Sequence, residues 1–229
     1  MSVEWDIDSL AADGGIDLAV LERPDLLTVE AEVLEHVRGS WCSEEKAKLL
    51  LELVVLTLPR VCVEIGAFSG STTVAILAGL RHLGDGRCYV VEAWSNEEAV
   101  RGLPSDDVNT QWWAAVDMAL VRSQFDQMLE HWSLQPWCEV LDEPSRAAAP
   151  QIPAIDLLHL DGSFSEEGAA LDSEVYLPKV VAGGHVVLSN VLATIAGKPT
   201  KMRALWPLFD ACDILCEADA GNTLLFRKR

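Results

Sequence analysis

A short apolar run, Val61-Cys62-Val63, breaks into Glu64-Ile65-Gly66-Ala67-Phe68-Ser69-Gly70 and then into Ser71-Thr72-Thr73-Val74-Ala75-Ile76-Leu77-Ala78-Gly79-Leu80. The pattern is a buried strand, a tight glycine turn and the opening of an amphipathic helix, the repeating unit of layered α/β folds. Glycine suits such a turn because the backbone bends sharply and a ligand can approach without a Cβ in the way. The acid at the strand's end sets the ligand chemistry. A carboxylate there repels a pyrophosphate and attracts a cation, so the turn reads as a nucleoside site for a ligand with an ammonium group and no pyrophosphate.

Two further strands end in the same way. Arg87-Cys88-Tyr89-Val90-Val91-Glu92 trails the turn by one helix and one strand, where doubly wound folds use a carboxylate to take both ribose hydroxyls. Ile155-Asp156-Leu157-Leu158-His159-Leu160-Asp161-Gly162 brings a third acid to the same sheet edge, outside which ligands of such sheets bind. Another strand is expected near Trp137-Cys138-Glu139-Val140-Leu141, and one more at His185-Val186-Val187-Leu188-Ser189-Asn190 after a helix over residues 165–181 capped by Gly183-Gly184. Helices are expected over residues 28–58 as a pair, with Ser43 as an N-cap followed by Lys46 where Glu is usual, over 110–132, and over 200–209. The chain then closes with a hairpin, residues 213–217 and 223–227. This alternation implies a mostly parallel sheet covered on both faces, with an antiparallel hairpin strand at one side.

At 229 residues, half of them apolar, the chain can bury one sizeable core. We expect a single domain over residues 28–229, preceded by an acidic arm or lid over residues 1–27. A formal net charge of −19 argues against nucleic acid or an anionic membrane surface as partner. The start, Met1-Ser2-Val3-Glu4-Trp5-Asp6, lacks the basic region of a signal peptide, and no apolar stretch reaches bilayer length. The six cysteines form no Cys-x-x-Cys pair and read as reduced thiols of a cytoplasmic protein. The apolar N-terminal helical pair offers a surface for homo-oligomer formation.

These motifs resemble those of class I S-adenosylmethionine-dependent methyltransferases, of the small-molecule type with an Asp-Gly after the fourth strand. The resemblance is carried by Val63-Glu64-Ile65-Gly66-Ala67-Phe68-Ser69-Gly70, Val91-Glu92-Ala93-Trp94, Leu158-His159-Leu160-Asp161-Gly162 and Leu177-Pro178-Lys179-Val180-Val181-Ala182-Gly183-Gly184, and runs from about residue 40 to the C-terminus. It implies a Rossmann-like fold with a seven-stranded sheet, S-adenosylmethionine as cofactor, and a small-molecule acceptor. It also implies roles. Glu64 and Gly66 lie near the methionyl ammonium and carboxylate, and Ser69 and Gly70 of the same turn also contact the cofactor. Glu92 holds the ribose hydroxyls, beside Ala93 and Trp94 on the adenine side, and Asp142, Glu143 and Ser145 contact adenine. Asp161 faces the sulfonium and the acceptor, and its position makes it the general-base candidate.

One departure stands out. Relatives that bind a divalent cation often read Asp-Gly-Asp-His after the fourth strand and end the fifth in a carboxylate. Here the segments are Asp161-Gly162-Ser163-Phe164 and Ser189-Asn190, leaving Asp161 with Asn190 as a weak second ligand, so no metal is expected. His159, on a central strand, reads as a hydrogen-bonded core histidine rather than a base. Among the aromatics, Trp113, Val116 and Leu120 have core spacing, whereas Trp41 and Trp112, together with Asn190, are expected to wall the acceptor pocket. O-methyl transfer to a small molecule is the leading function. A cofactor binder that has lost catalysis is the alternative, marked by Ser189-Asn190. A nicotinamide oxidoreductase fits less well, because Phe68 stands where the middle glycine of Gly-x-Gly-x-x-Gly belongs.

Overall fold

The acid-ended apolar runs become neighbouring strands in the computed structural model, which describes residues 17–229. Strands β1 (Val61–Ile65), β2 (Arg87–Val91), β3 (Cys138–Leu141), β4 (Ile155–Leu160) and β5 (Val180–Ser189) are followed by a small separate hairpin, β6 (Thr194–Ile195) and β7 (Lys198–Pro199). The chain ends in β8 (Cys212–Ala218) and β9 (Thr223–Lys228). The main sheet has the order β3-β2-β1-β4-β5-β9-β8. Its first five strands in that order run parallel, while β9 lies antiparallel to β5 and β8 antiparallel to β9. The order reverses at β1 and β4, the crevice where ligands of doubly wound sheets bind.

Helices α1 (Pro24–Val37), α2 (Glu44–Thr57), α3 (Thr73–Leu83), α4 (Asn96–Ala99), α5 (Val108–Ala115) and α6 (Met118–His131) precede β3. They are followed by α7 (Ser145–Ala148), α8 (Glu166–Tyr176) and α9 (Met202–Ala211). Side-chain alternation along the strands feeds two cores, as a sheet covered on both faces requires. Cys62, Val90 and Leu157 face one layer with Leu50 and Val54 of α2, Leu77 of α3 and Phe125 of α6. Val63, Val91 and Leu158 face the other, with Tyr176 of α8 and Leu205 and Leu208 of α9.

Boundaries differ from the sequence expectations at three places, each for a local reason. The helix expected over residues 110–132 is two, because Val116 is extended (ψ 135°) and Asp117 starts a new helix by accepting from Leu120 N at 3.0 Å. The helix ending near residue 181 stops at Tyr176, since Pro178 cannot continue it. Gly183-Gly184 is consequently not a helix cap. It lies within β5, where Ile155 pairs with Val180 and Leu157 with His185, so the extra residues form a bulge that Gly183 (φ +79°) permits. At the other end, residues 1–16 of the expected arm or lid lie outside the described residues. Residues Leu18–Glu22 are a 3₁₀ turn, and the first helix begins at Pro24, inside the expected arm, with proline at the first helical position.

Candidate functional site

Sheet register sets the depth of each acid. Glu64 is level with Val90 on β2 and with His159 on β4. Glu92 and Asp161 therefore lie two residues further along, past the strand ends. Glu64 is fully buried and accepts hydrogen bonds from Thr72 Oγ1 at 2.6 Å, from Thr73 Oγ1, and from His159 Nδ1 at 3.0 Å. A carboxylate only accepts, so His159 donates through Nδ1, and its Nε2 is hydrogen-bonded to the Ser189 hydroxyl at 2.9 Å. His159 is thus a satisfied core histidine. Glu64, by contrast, does not reach the ligand side as the resemblance implied: its oxygens are occupied one rung below the edge, pinning the start of α3 to β1 and β4.

Above that rung opens a cavity of about 410 Å³ at the carboxyl ends of the strands, within the range of small-molecule sites. Of the residues expected at the site, Gly66, Glu92, Ala93, Glu143, Ser145, Asp161, Trp41 and Asn190 line it. Gly66 has φ +88°, and a Cβ there would stand 2.5 Å from Gly162 Cα, so only glycine lets the β1 and β4 turns close on each other. Glu92 accepts from the backbone N–H of Phe68 at 3.1 Å and of Trp94 at 3.2 Å. Burial raises its pKa above the ordinary carboxylate value, against the lowering by those N–H donors. Glu92 lines the cavity, where a carboxylate suits a ribose diol.

Other expected residues stand behind the wall. Trp94 is 9% exposed, donates from Nε1 to Phe68 O at 2.9 Å, and carries the Arg122 guanidinium 4.3 Å from its ring centroid; it braces the turn from outside. Asp142 pairs with Arg122 at 2.7 Å on the surface. Ser69 is not on the cavity wall, and a Cβ on Gly70 (φ +93°) would strike Met128 of α6, so Gly70 serves helix packing. The aromatic expectation is half reversed. Trp113, placed in the core by its spacing, lines the cavity with Trp41, Phe68 and Phe164, while Trp112 is 45% exposed and packs on the outside of Trp41, ring centroids 5.0 Å apart. Leu120 is 54% exposed. The break after Ala115 changes the helical phase on which that spacing rested.

The acceptor end of the cavity is built around Asp161. Its Oδ2 accepts from Lys46 Nζ at 3.2 Å and its Oδ1 from Asn190 Nδ2. Asn190 sits just past β5 with φ +59°, a left-handed conformation that asparagine tolerates. Lys46 is 2% exposed. Burial pushes its pKa down most strongly, but the charge and hydrogen bond of Asp161, together with smaller contributions from Cys42 and Asp219, hold it above the ordinary lysine value, so the ammonium stays charged. Cys42, beside it, is pushed up to about 12 by burial and remains a thiol. Lys201 donates to Ser163 O at 2.7 Å and supports the loop after β4 from below. Among the described residues no group of three His, Cys, Asp or Glu is placed to hold a metal ion. Lys46 was not among the expected site residues; its one signal in the sequence is its place at the third position after an N-cap serine.

A doubly wound sheet with an acid-lined cavity at its switch point defines a Rossmann-like α/β protein that binds a small ligand at its carboxyl edge. Residues 63–191 match the family model of a methyltransferase domain, which is more than half of the chain, and the chain belongs to that family. The solved structure of the O-methyltransferase NovP superposes with a TM-score of 0.67 at 15% identity, covering 88% of this chain and 97% of that one. TomG from Streptomyces achromogenes, an O-methyltransferase of tomaymycin synthesis in complex with S-adenosylmethionine, gives 0.60 at 16% identity over 88% and 90%. The O-methyltransferase from Bacillus cereus in complex with S-adenosylhomocysteine gives 0.57 at 16% over 97% of each chain. At such identities the likeness is one of fold. No curated protein matches the sequence.

Proposed function

We propose that this chain transfers a methyl group from S-adenosylmethionine to a hydroxyl oxygen of a small molecule. The observation that carries the reading is Glu92, held inside the cavity at the end of β2 by two backbone N–H donors, where it can take both hydroxyls of a ribose. Gly66 leaves room for the methionyl portion against the backbone of the turn, and Glu143 and Ser145 would border the adenine. When bound, the cofactor supplies a sulfonium methyl: an oxygen–carbon bond forms as the carbon–sulfur bond breaks, and the electron pair stays on sulfur. Asp161 is the group we assign to take the acceptor's proton, and the aromatic wall of Trp41, Phe68 and Trp113 excludes water and orients the acceptor. The names of NovP, TomG and the Bacillus cereus protein support oxygen as the acceptor atom.

The catalytically inert alternative is not favoured, since the cavity keeps a buried ion cluster of Lys46, Asp161 and Asn190 at the acceptor end. The same reading has the protein work in a reducing cytoplasm with six free thiols, on small molecules rather than polyanions, which a net charge of −19 repels. Among the described residues no helix is long and apolar enough to cross a membrane. Isothermal titration with S-adenosylhomocysteine and, separately, NADH tests the cofactor. The expected result is one-to-one binding of S-adenosylhomocysteine and none of NADH; the reverse would overturn the reading.

A further inference from the structure

Lys46 breaks three local rules at once. It occupies the third helical position after N-cap Ser43, which accepts from Lys46 N at 3.1 Å, a place where glutamate completes a capping box. Its positive charge lies in the first turn of α2, at the end where the helix dipole disfavours cations. It is also buried, at 2% exposure, although lysine is almost never fully buried unless paired. Local stability therefore gives no reason for a lysine here, and conflicts of this kind concentrate at functional sites.

The partner accounts for one third of its bonding capacity. An ammonium carries three N–H donors, and among the described residues Asp161 Oδ2 is the acceptor for one of them. The donors left over belong to a buried cation on the wall of the cavity, beside the carboxylate that would receive the acceptor's proton. The charged or titratable groups facing the ammonium are Asp161, Cys42 and, at longer range, Asp219 and Lys201.

We infer that Lys46 is a catalytic residue that grips the acceptor oxygen, its ammonium donating a hydrogen bond to that oxygen while the hydroxyl proton passes to Asp161. The inference rests on the methyltransferase reading and deepens it. The proton leaves the acceptor oxygen for an Asp161 oxygen and from there goes to water; the negative charge developing on the acceptor is met by a cation that belongs to the chain. Lys46 is already charged, so it acts as a donor and not as the base. Asn190 holds the other Asp161 oxygen and keeps the carboxylate turned toward the cavity. Asp161 thus has both oxygens engaged by protein donors, and the site takes an oxyanion without a divalent cation.

Probe binding tests this without knowledge of the natural acceptor. With S-adenosylhomocysteine present, 4-nitrophenolate, followed by its absorbance, stands for the deprotonated acceptor, and 4-nitroanisole for the neutral methylated product. Lys46→Met is expected to weaken 4-nitrophenolate binding by about tenfold or more, as removal of a charged donor does, and to leave 4-nitroanisole within about threefold. Lys46→Arg, which restores the charge, should recover most of the phenolate affinity. Wild-type affinity for the phenolate should be the same in EDTA and in millimolar Mg²⁺. Equal losses for both probes, no loss for the phenolate, no phenolate binding by the wild type, or a requirement for Mg²⁺ would each overturn the inference. Calorimetry with S-adenosylhomocysteine separates the two levels: unaltered binding in Lys46→Met shows an intact cofactor site, whereas absence of binding in the wild type strikes the methyltransferase reading itself and this inference with it.

Discussion

The carboxyl ends of β1 and β2 carry one glutamate each, and the two do opposite work. Glu64 lies one residue inside its strand, fully buried, and accepts from Thr72, Thr73 and His159. Glu92 lies one residue outside its strand, is held by two backbone N–H groups, and opens onto the cavity. Because Glu64 is level with Val90, the separation between them is two residues along the sheet, roughly 7 Å at the rise of a strand. That distance separates an acid on the cavity wall from one buried beneath it. The residue type does not separate the two roles; the register does.

Three substitutions probe this contrast. Glu64→Ala leaves two threonine hydroxyls and His159 without their acceptor in the core, and is expected to lower unfolding free energy by about 3–5 kcal/mol in urea denaturation. The protein that remains folded should bind S-adenosylhomocysteine within about threefold of wild type. A stable Glu64→Ala that has lost the ligand would make Glu64 a binding residue after all. Gly66→Ala places a Cβ 2.5 Å from Gly162 Cα at φ +88°, and should destabilise by about 1–3 kcal/mol while weakening the ligand, since the turn belongs to both layers. Thermal denaturation with and without S-adenosylhomocysteine reads both effects. Glu92→Ala leaves two backbone N–H groups that water in the cavity can take up, and is expected to cost about 1 kcal/mol, well below Glu64→Ala, and to act chiefly on binding.

Much of this fold was legible from apolar runs ended by acids, because a buried parallel strand must be apolar throughout and its carboxyl end meets the site. The strands, the closing hairpin, and the place of Glu92 and Asp161 at the cavity edge were readable in this way. What the rule could not supply was depth: whether an acid at a strand's end is the last residue inside or the first outside depends on pairing with strands many residues away. Glu64, expected beside the ligand, is buried below the cavity wall for that reason. Trp113 lines the cavity while Trp112 stays exposed, and Leu120 falls out of phase with Trp113 because a single extended residue, Val116, ends one helix before the next begins. Lys46 was visible as an oddity after Ser43, but its partner Asp161 is 115 positions distant and only the folded sheet joins them. Gly183-Gly184 read as a helix cap because glycine serves caps and bulges alike, and Pro178 decided between them.

The most direct test of this two-layer account is calorimetric titration of S-adenosylhomocysteine into Glu92→Ala, at a temperature where wild type and variant are equally folded. Affinity is expected to fall by about tenfold or more, or about 1.4 kcal/mol, with the unfolding midpoint of the free protein lowered far less than in Glu64→Ala. Binding of Glu92→Ala indistinguishable from wild type would contradict it.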